Sequence, residues 1–271
     1  MWRRWASFSR RVAGSSTASS YKNHRDVAVA VADFARGRGR SADEIWITSK
    51  VDTVRDEGGR EGVLRSVDKA LSELRARRLD LMLLHHPQCR LAPGDAEFAD
   101  EAACLRSSWE GLVEAQRAGK VRAIGVSNFN VSQLETLLRG SAVVPAVNQL
   151  ELHPWCTEAA DPVLNFCAAR GIAVTAFNSL GGATRPAASA WSVDAVARAR
   201  NVTAPQLLLR WAMDRGVAVV PGATSRAHIQ ENVATCAVGP LTAEEHTAIT
   251  AAPKPAGWRS RAILGKVKHS T

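Results

Sequence analysis

The sequence predicts an α/β fold of the (β/α)8 TIM-barrel type, and three observations lead there. After residue 40, short apolar runs alternate with longer segments of helical spacing. The runs are apolar throughout rather than alternating, as strands of a parallel sheet covered by helices on both faces are. Polar residues then follow directly on the C-terminal ends of successive runs. In a closed barrel those ends surround one mouth, so residues scattered along the chain converge on one pocket. An open doubly wound sheet would spread them along an edge, and no Gly-x-Gly-x-x-Gly follows any of the runs.

The elements follow in order. A short run at 12–16 reads as a strand, with Tyr21 just beyond it. Six further strands are expected at 44–48, 79–84, 121–126, 143–148, 171–176 and 217–220. Beyond their ends stand Lys50, then His85, then Ser127 and Asn128, then Gln149 and Glu151, then Phe177 and Asn178, then Gly222. Helices are expected at about 24–36, 61–77, 102–118, 131–139, 158–169, 192–215 with a break near Val202, and 227–235. In the second of these Val63, Leu64, Val67, Leu71 and Leu74 recur at three- and four-residue steps. Asn130 or Ser132, Thr157 and Ser225 are candidate N-caps, and Gly119, Gly171 and Gly216 fall at helix exits.

With 271 residues, 46% of them hydrophobic, the chain buries a full core as one large domain over 15–271. No run approaches the ~18 apolar residues of a membrane span. Five dispersed cysteines without a C-x-x-C pair argue against a disulfide framework or a metal site and fit a reduced compartment. The formal charge of +9 is carried by scattered arginines without interleaved aromatics, so a nucleic-acid partner is not expected, whereas an anionic small molecule is compatible. Residues 1–14 form a divergent basic segment within an acid-free start reaching Arg25. It reads either as an organelle transit peptide or as a new start to a shortened chain, and a cytoplasmic monomer is the default expectation.

Tyr21 is the single tyrosine and sits among small polar residues that offer no core. A phenol's pKa near 10 is too high for easy proton donation at neutral pH, but a neighbouring ammonium that stabilises phenolate lowers it. Lys50 is the cation at hand, and His85 offers a ring nitrogen to orient a carbonyl. Tyr, Lys and His at one mouth, with no metal ligands and no nucleophile signature, suit protonation of an oxygen that is receiving hydride.

The ordered segments "STASSYKN", "WITSKV", "LDLMLLHHP", "AIGVSNF", "VNQLELHPW", "AFNSLGG" and "VVPGATSRAHIQENV" resemble the aldo-keto reductase superfamily across about residues 15–236. The resemblance implies NADPH-dependent reduction of a small aldehyde or ketone, with NADH as an alternative cofactor. It places the proton donor on Tyr21, the tuning lysine on Lys50 and the substrate-orienting histidine on His85. It further implies nicotinamide carboxamide ligands at Ser127, Asn128 and Gln149, a ring stacked on the nicotinamide at Phe177, and a pyrophosphate loop at Asn178, Ser179, Leu180 and Gly181. Adenine-side contacts fall on Glu231 and Asn232.

The chain departs from the family pattern at several places. Ser16 stands where relatives carry the aspartate paired with the lysine, which implies reduced activity, because a hydroxyl orients an ammonium without neutralising it. His24 replaces a glutamate and His86 a tryptophan. Gly222 and Ala223 replace the Lys-Ser pair that grips a 2′-phosphate, and His228 replaces an arginine; Thr224, Ser225 and Arg226 are the expected substitutes. The front is too short for the capping hairpin, first strand and first helix, so a barrel lacking these is expected. A nucleotide-binding barrel of little or no activity, acting through interactions, is the rival reading.

Overall fold

The structure, a computed structural model, describes residues 14–53, 58–89, 100–181 and 191–254. The basic segment 1–14 lies, but for Gly14, outside the described residues, as does the tail from residue 255. The chain divides into two compact units, residues 1–148 and 149–271.

The first unit runs β1 (Gly14–Ser16), a 3-10 turn (Ser19–Tyr21), α1 (His24–Gly37), a second 3-10 turn (Ala42–Glu44), β2 (Trp46–Val51), α2 (Gly59–Leu74), β3 (Leu79–Leu84), α3 (Glu101–Arg117), β4 (Val121–Ser127) and α4 (Val131–Arg139). The first residues of β5 (Val147–Glu151) close it. Neighbouring strands pair in parallel, with Ser16 opposite Thr48, Lys50 opposite Leu83 and Met82 opposite Ile124. All six side chains of β3 are buried, as a sheet covered on both faces requires. Each buried Leu or Met there contributes about 1.5–3 kcal/mol.

Helix α2 buries Val63, Val67 and Leu74 of the predicted stripe together with Ala70, while Leu64 and Leu71 are only half-buried. It packs against α3 so closely that a Cβ on Gly111 would lie 2.7 Å from the Arg60 carbonyl oxygen. No side chain at Gly58 caps α2. Instead Gly59 N–H donates to Ser108 Oγ at 2.8 Å and Arg60 N–H to Ser107 Oγ at 3.0 Å, so α3 supplies the cap. One expectation is corrected here, since Cys89 and Cys104 are joined by a disulfide. Their Cα atoms, 5.9 Å apart, lie within bridging reach although 15 residues separate them in sequence. Cys156, Cys167 and Cys236 are free thiols.

The second unit holds the rest of β5, a 3-10 turn (Pro154–Cys156), α5 (Thr157–Ala169), β6 (Ala173–Phe177), α6 (Trp191–Ala199), α7 (Ala204–Asp214), β7 (Ala218–Val219), α8 (Arg226–Ala234), a 3-10 turn (Thr235–Ala237) and α9 (Ala243–Thr250). Thr175 pairs with Ala218 in parallel. The break expected near Val202 falls at Asn201, whose φ of 52° ends α6. Asn130 and Ser225 cap their helices as expected, whereas Thr157 is the first residue of α5 rather than its cap. Alternating parallel strands and helices, seven strands among the described residues, make a (β/α)8 pattern short of one strand.

Several boundaries differ from the sequence reading, and those of β2, β4, β5 and β6 bear on the site. Lys50 lies inside β2, one residue before its end, Ser127 and Phe177 are the last residues of β4 and β6 rather than beyond them, and β5 spans Val147–Glu151 instead of 143–148, so that Gln149 and Glu151 lie within it. Pro145 has no N–H for the ladder, so pairing begins after it, with Ala146 N–H donating to the Ile124 carbonyl at 2.8 Å.

Candidate active site

In the first unit the polar residues at the C-terminal ends of β1, β2, β3 and β4 come together. Thr17 N–H donates to the Thr48 carbonyl at 2.9 Å and carries the β1–β2 pairing one step beyond the strand. The chain then turns through Ser19–Tyr21 and leaves by Lys22 in the left-handed region at φ 56°. This brings the Tyr21 ring over Lys50, with Nζ 5.1 Å from its centroid. His85 is placed likewise, its N–H donating to the Val51 carbonyl at 2.9 Å. Its ring meets the Tyr21 ring edge-on at 5.8 Å between centroids and 80° between planes.

Lys50 is 3% exposed and donates to the Thr17 carbonyl at 3.0 Å and to Ser16 Oγ at 3.4 Å. Among the described residues no carboxylate pairs with it, and burial pulls its pKa down to about 8. Burial also holds His85 down to about 3, aided by the nearby charges of His86 and Lys50, so its imidazole is neutral at ordinary pH. The buried Nδ1 of His85 has no hydrogen-bond partner among the described residues. The expected lowering of the Tyr21 phenol is not found. Although the residue is half exposed, burial raises its pKa above the usual value, and its hydroxyl bonds neither Lys50 nor His85.

Asn128, in the left-handed region at φ 66°, donates from Nδ2 to the His85 carbonyl at 2.9 Å and to Ser127 Oγ at 3.2 Å. The side chain thereby locks the backbone of His85, and its Oδ1 takes no hydrogen bond among the described residues. Sequence reasoning noted His24 only as a replacement for a glutamate and gave it no role, yet it is 4% exposed. Its Nε2 lies 2.9 Å from Ser49 Oγ and its Nδ1 3.0 Å from Glu73 Oε2, so the start of α1 is tied to β2 beside Lys50 and to α2. His86 stacks on His85 at 4.3 Å.

The second unit holds the remaining predicted residues. Gln149 is buried in β5, and Phe177 ends β6 half-buried. Asn178 follows in the left-handed region at φ 53°. Its Nδ2 donates to Glu151 Oε1 at 2.6 Å, and the same oxygen lies 3.2 Å from Nε2 of the fully buried His153. Glu151 thus pins the loop that contains Asn178, Ser179, Leu180 and Gly181. Gly181 has φ 80°, and a Cβ there would lie 2.3 Å from the Trp155 ring, so glycine alone fits. A carboxylate directly following an apolar strand was the sequence signal for Glu151. Gly222, Thr224 and Arg226 are exposed around the start of α8, while Glu231 and Asn232 are half-buried on it. The Glu231 backbone carbonyl accepts from Gln206 Nε2 at 3.2 Å.

The model of the aldo/keto reductase family matches residues 16–254. The chain belongs to the aldo/keto reductase family. D-galacturonate reductase of Fragaria ananassa is 31% identical, over 92% of this chain and 80% of that protein. Glyoxal reductase of Bacillus subtilis is 32% identical, over 80% of this chain and 70% of its own length. An aldo-keto reductase of Bombyx mori, solved in complex with NADP, superimposes with a TM-score of 0.77 and 28% identity, covering 88% of this chain and 77% of that one. Family and neighbours bear out the barrel fold and an oxidoreductase of the aldo/keto reductase type. No described helix is long and apolar enough to cross a membrane.

Proposed function

We propose that this aldo/keto reductase reduces a small aldehyde or ketone with NADPH, Tyr21 donating the proton. The juxtaposition of Tyr21, Lys50 and His85 carries the reading, since an acid, its cation and a neutral hydrogen-bonding ring are gathered at the C-terminal ends of three successive strands. The residues present fit the nicotinamide cofactor. Asn128 Oδ1 is free to accept from a carboxamide, Phe177 offers a half-buried ring, and Glu151 holds the Asn178 loop ready for phosphates. When bound, NADPH would supply hydride to the carbonyl carbon.

The chain's own residues do the rest. Neutral His85 hydrogen-bonds the carbonyl oxygen and fixes its direction. As negative charge grows on that oxygen, the Tyr21 hydroxyl transfers its proton to it, and the resulting phenolate is stabilised by the Lys50 ammonium. That stabilisation is present below pH about 8 and is lost as Lys50 deprotonates above it. The raised phenol pKa keeps Tyr21 protonated before reaction at the expense of donor strength.

A second reading, a nucleotide-binding barrel with little or no turnover that acts as an interaction subunit, is favoured by Ser16, which gives Lys50 a hydroxyl where a carboxylate would hold its charge. One experiment tests both. Aldehyde-dependent loss of NADPH absorbance is measured for the wild type, Tyr21→Phe and Ser16→Asp. Turnover that Tyr21→Phe abolishes supports the reductase. Tight NADPH binding without turnover, even in Ser16→Asp, supports the subunit.

A further inference from the structure

A cavity of about 430 Å³ opens in the first unit, within the range of small-molecule sites and well away from Tyr21. Its walls come from α1, the N-terminal halves of β2 and β3, the exit of α2 and the start of β4. Asp80, on its floor, precedes His85 by five residues of extended chain, roughly 16 Å. The cavity therefore belongs to the N-terminal end of the strands, and the proposed reaction leaves it unused.

Its chemistry is two-sided. Val31, Ile45, Ile47 and Leu74 give it an apolar floor. Four arginines, Arg75, Arg77, Arg78 and Arg122, face two acids, Asp43 and Asp80. The Asp80 carboxylate is already engaged: it is 8% exposed, Oδ2 accepts from Ile47 N–H at 2.9 Å, and Oδ1 lies 3.4 Å from Arg122. Arg122 also covers the Trp46 ring, with its guanidinium carbon 5.9 Å from the centroid. Arg75, Arg77 and Arg78 have no carboxylate within 4 Å among the described residues, and all three are exposed. Two of the α2 terminal carbonyls that would repel an anion are occupied, since the Ser72 carbonyl accepts from Arg75 N–H and that of Leu71 from Ala76 N–H.

We infer that this cavity binds a small amphiphilic anion, its apolar body on the Val31, Ile45, Ile47 and Leu74 floor and its acid group on the arginines at the exit of α2. Guanidinium groups match carboxylate and phosphate alike through paired N–H donors, so the head group is either. The volume sets the body at roughly ten carbons. A metal ion is excluded as the occupant by the arginine rim, and a nucleic acid strand by the cavity's size.

The test is isothermal titration of the full chain with decanoate, decyl phosphate and decan-1-ol. Saturable binding of one anion per chain is expected, with the alcohol at least tenfold weaker, and the tighter anion identifies the head group. Arg77→Ala combined with Arg78→Ala, both exposed and outside the catalytic cluster, is expected to weaken the anion at least tenfold with an unchanged melting temperature. Ala32→Trp, which fills the cavity from α1, is expected to abolish binding. Equal affinity for the alcohol, affinity unaltered by the arginine substitutions, or no saturable binding by the wild type overturns the site.

Discussion

Two ionisable groups, each near the C-terminal end of a strand in its own unit, are buried in opposite ways. Glu151 in the second unit is fully buried but shares one oxygen between Asn178 and His153. Lys50 in the first unit is 3% exposed and has a carbonyl and a hydroxyl for company, with no carboxylate. The carboxylate is built in as a fixed post for a loop. The ammonium is left with its charge in the balance, since burial brings its pKa to about 8, where small changes of surroundings decide its protonation. Buried charge in this protein is therefore a matter of partners more than of depth.

Removing the acid that depends on Lys50 has the largest expected effect. Tyr21→Phe should lower the carbonyl-reduction kcat by about 10²–10⁴-fold while leaving NADPH affinity unchanged, as stopped-flow rates and fluorescence titration would record. Lys50→Met should impair turnover nearly as much yet stabilise the fold by about 2–3 kcal/mol at pH 7 in urea titrations. The sign follows from linkage. Between pH 8 and 10.5 the unfolded chain binds more protons at this lysine than the folded one, so wild-type stability rises through that window. In Lys50→Met the rise should vanish, and its persistence would mean that Lys50 is not the group responsible.

The other half of the comparison calls for Glu151→Ala. Losing the post should free Asn178, weaken NADPH binding about tenfold and cost about 1–3 kcal/mol of stability, with Glu151→Gln in between. The smallest effect sharpens the comparison most. Ser16→Asp gives Lys50 the partner type that Glu151 exemplifies, and it should move the alkaline limb of the pH–rate profile up by about 1–3 pH units with a several-fold gain near pH 9.

Much of this was legible in the chain. The apolar runs located the strands, and Tyr21, Lys50 and His85 stood out because polar residues follow those runs in register. Other features depend on folded geometry that periodicity does not carry. Cys89 and Cys104 meet only because β3 and α3 bring them together across their separation in sequence. The raised Tyr21 pKa arises from desolvation by neighbours remote in sequence, which outweighs the lysine that sequence logic set against it. His24 registered only as a replacement for a glutamate, because its partners, Ser49 and Glu73, lie 25 and 49 residues away. β5 escaped its true bounds because Asn148, Gln149 and Glu151 are polar yet buried, the reverse of what an apolar-run search detects.

The borrowed cap on α2 bears on how the protein assembles. Because Ser107 and Ser108 accept the N–H groups of Arg60 and Gly59, the first turn of one helix is satisfied by hydroxyls belonging to the next. Helix α2 therefore cannot complete its first turn without α3, whose own start is capped by Asp100, and the first turn of α2 should open only when α3 detaches. In deuterium exchange the amides of Gly59 and Arg60 should swap at the rate of the α3 interior rather than at that of a fraying terminus, so that detachment of α3 sets the clock for both.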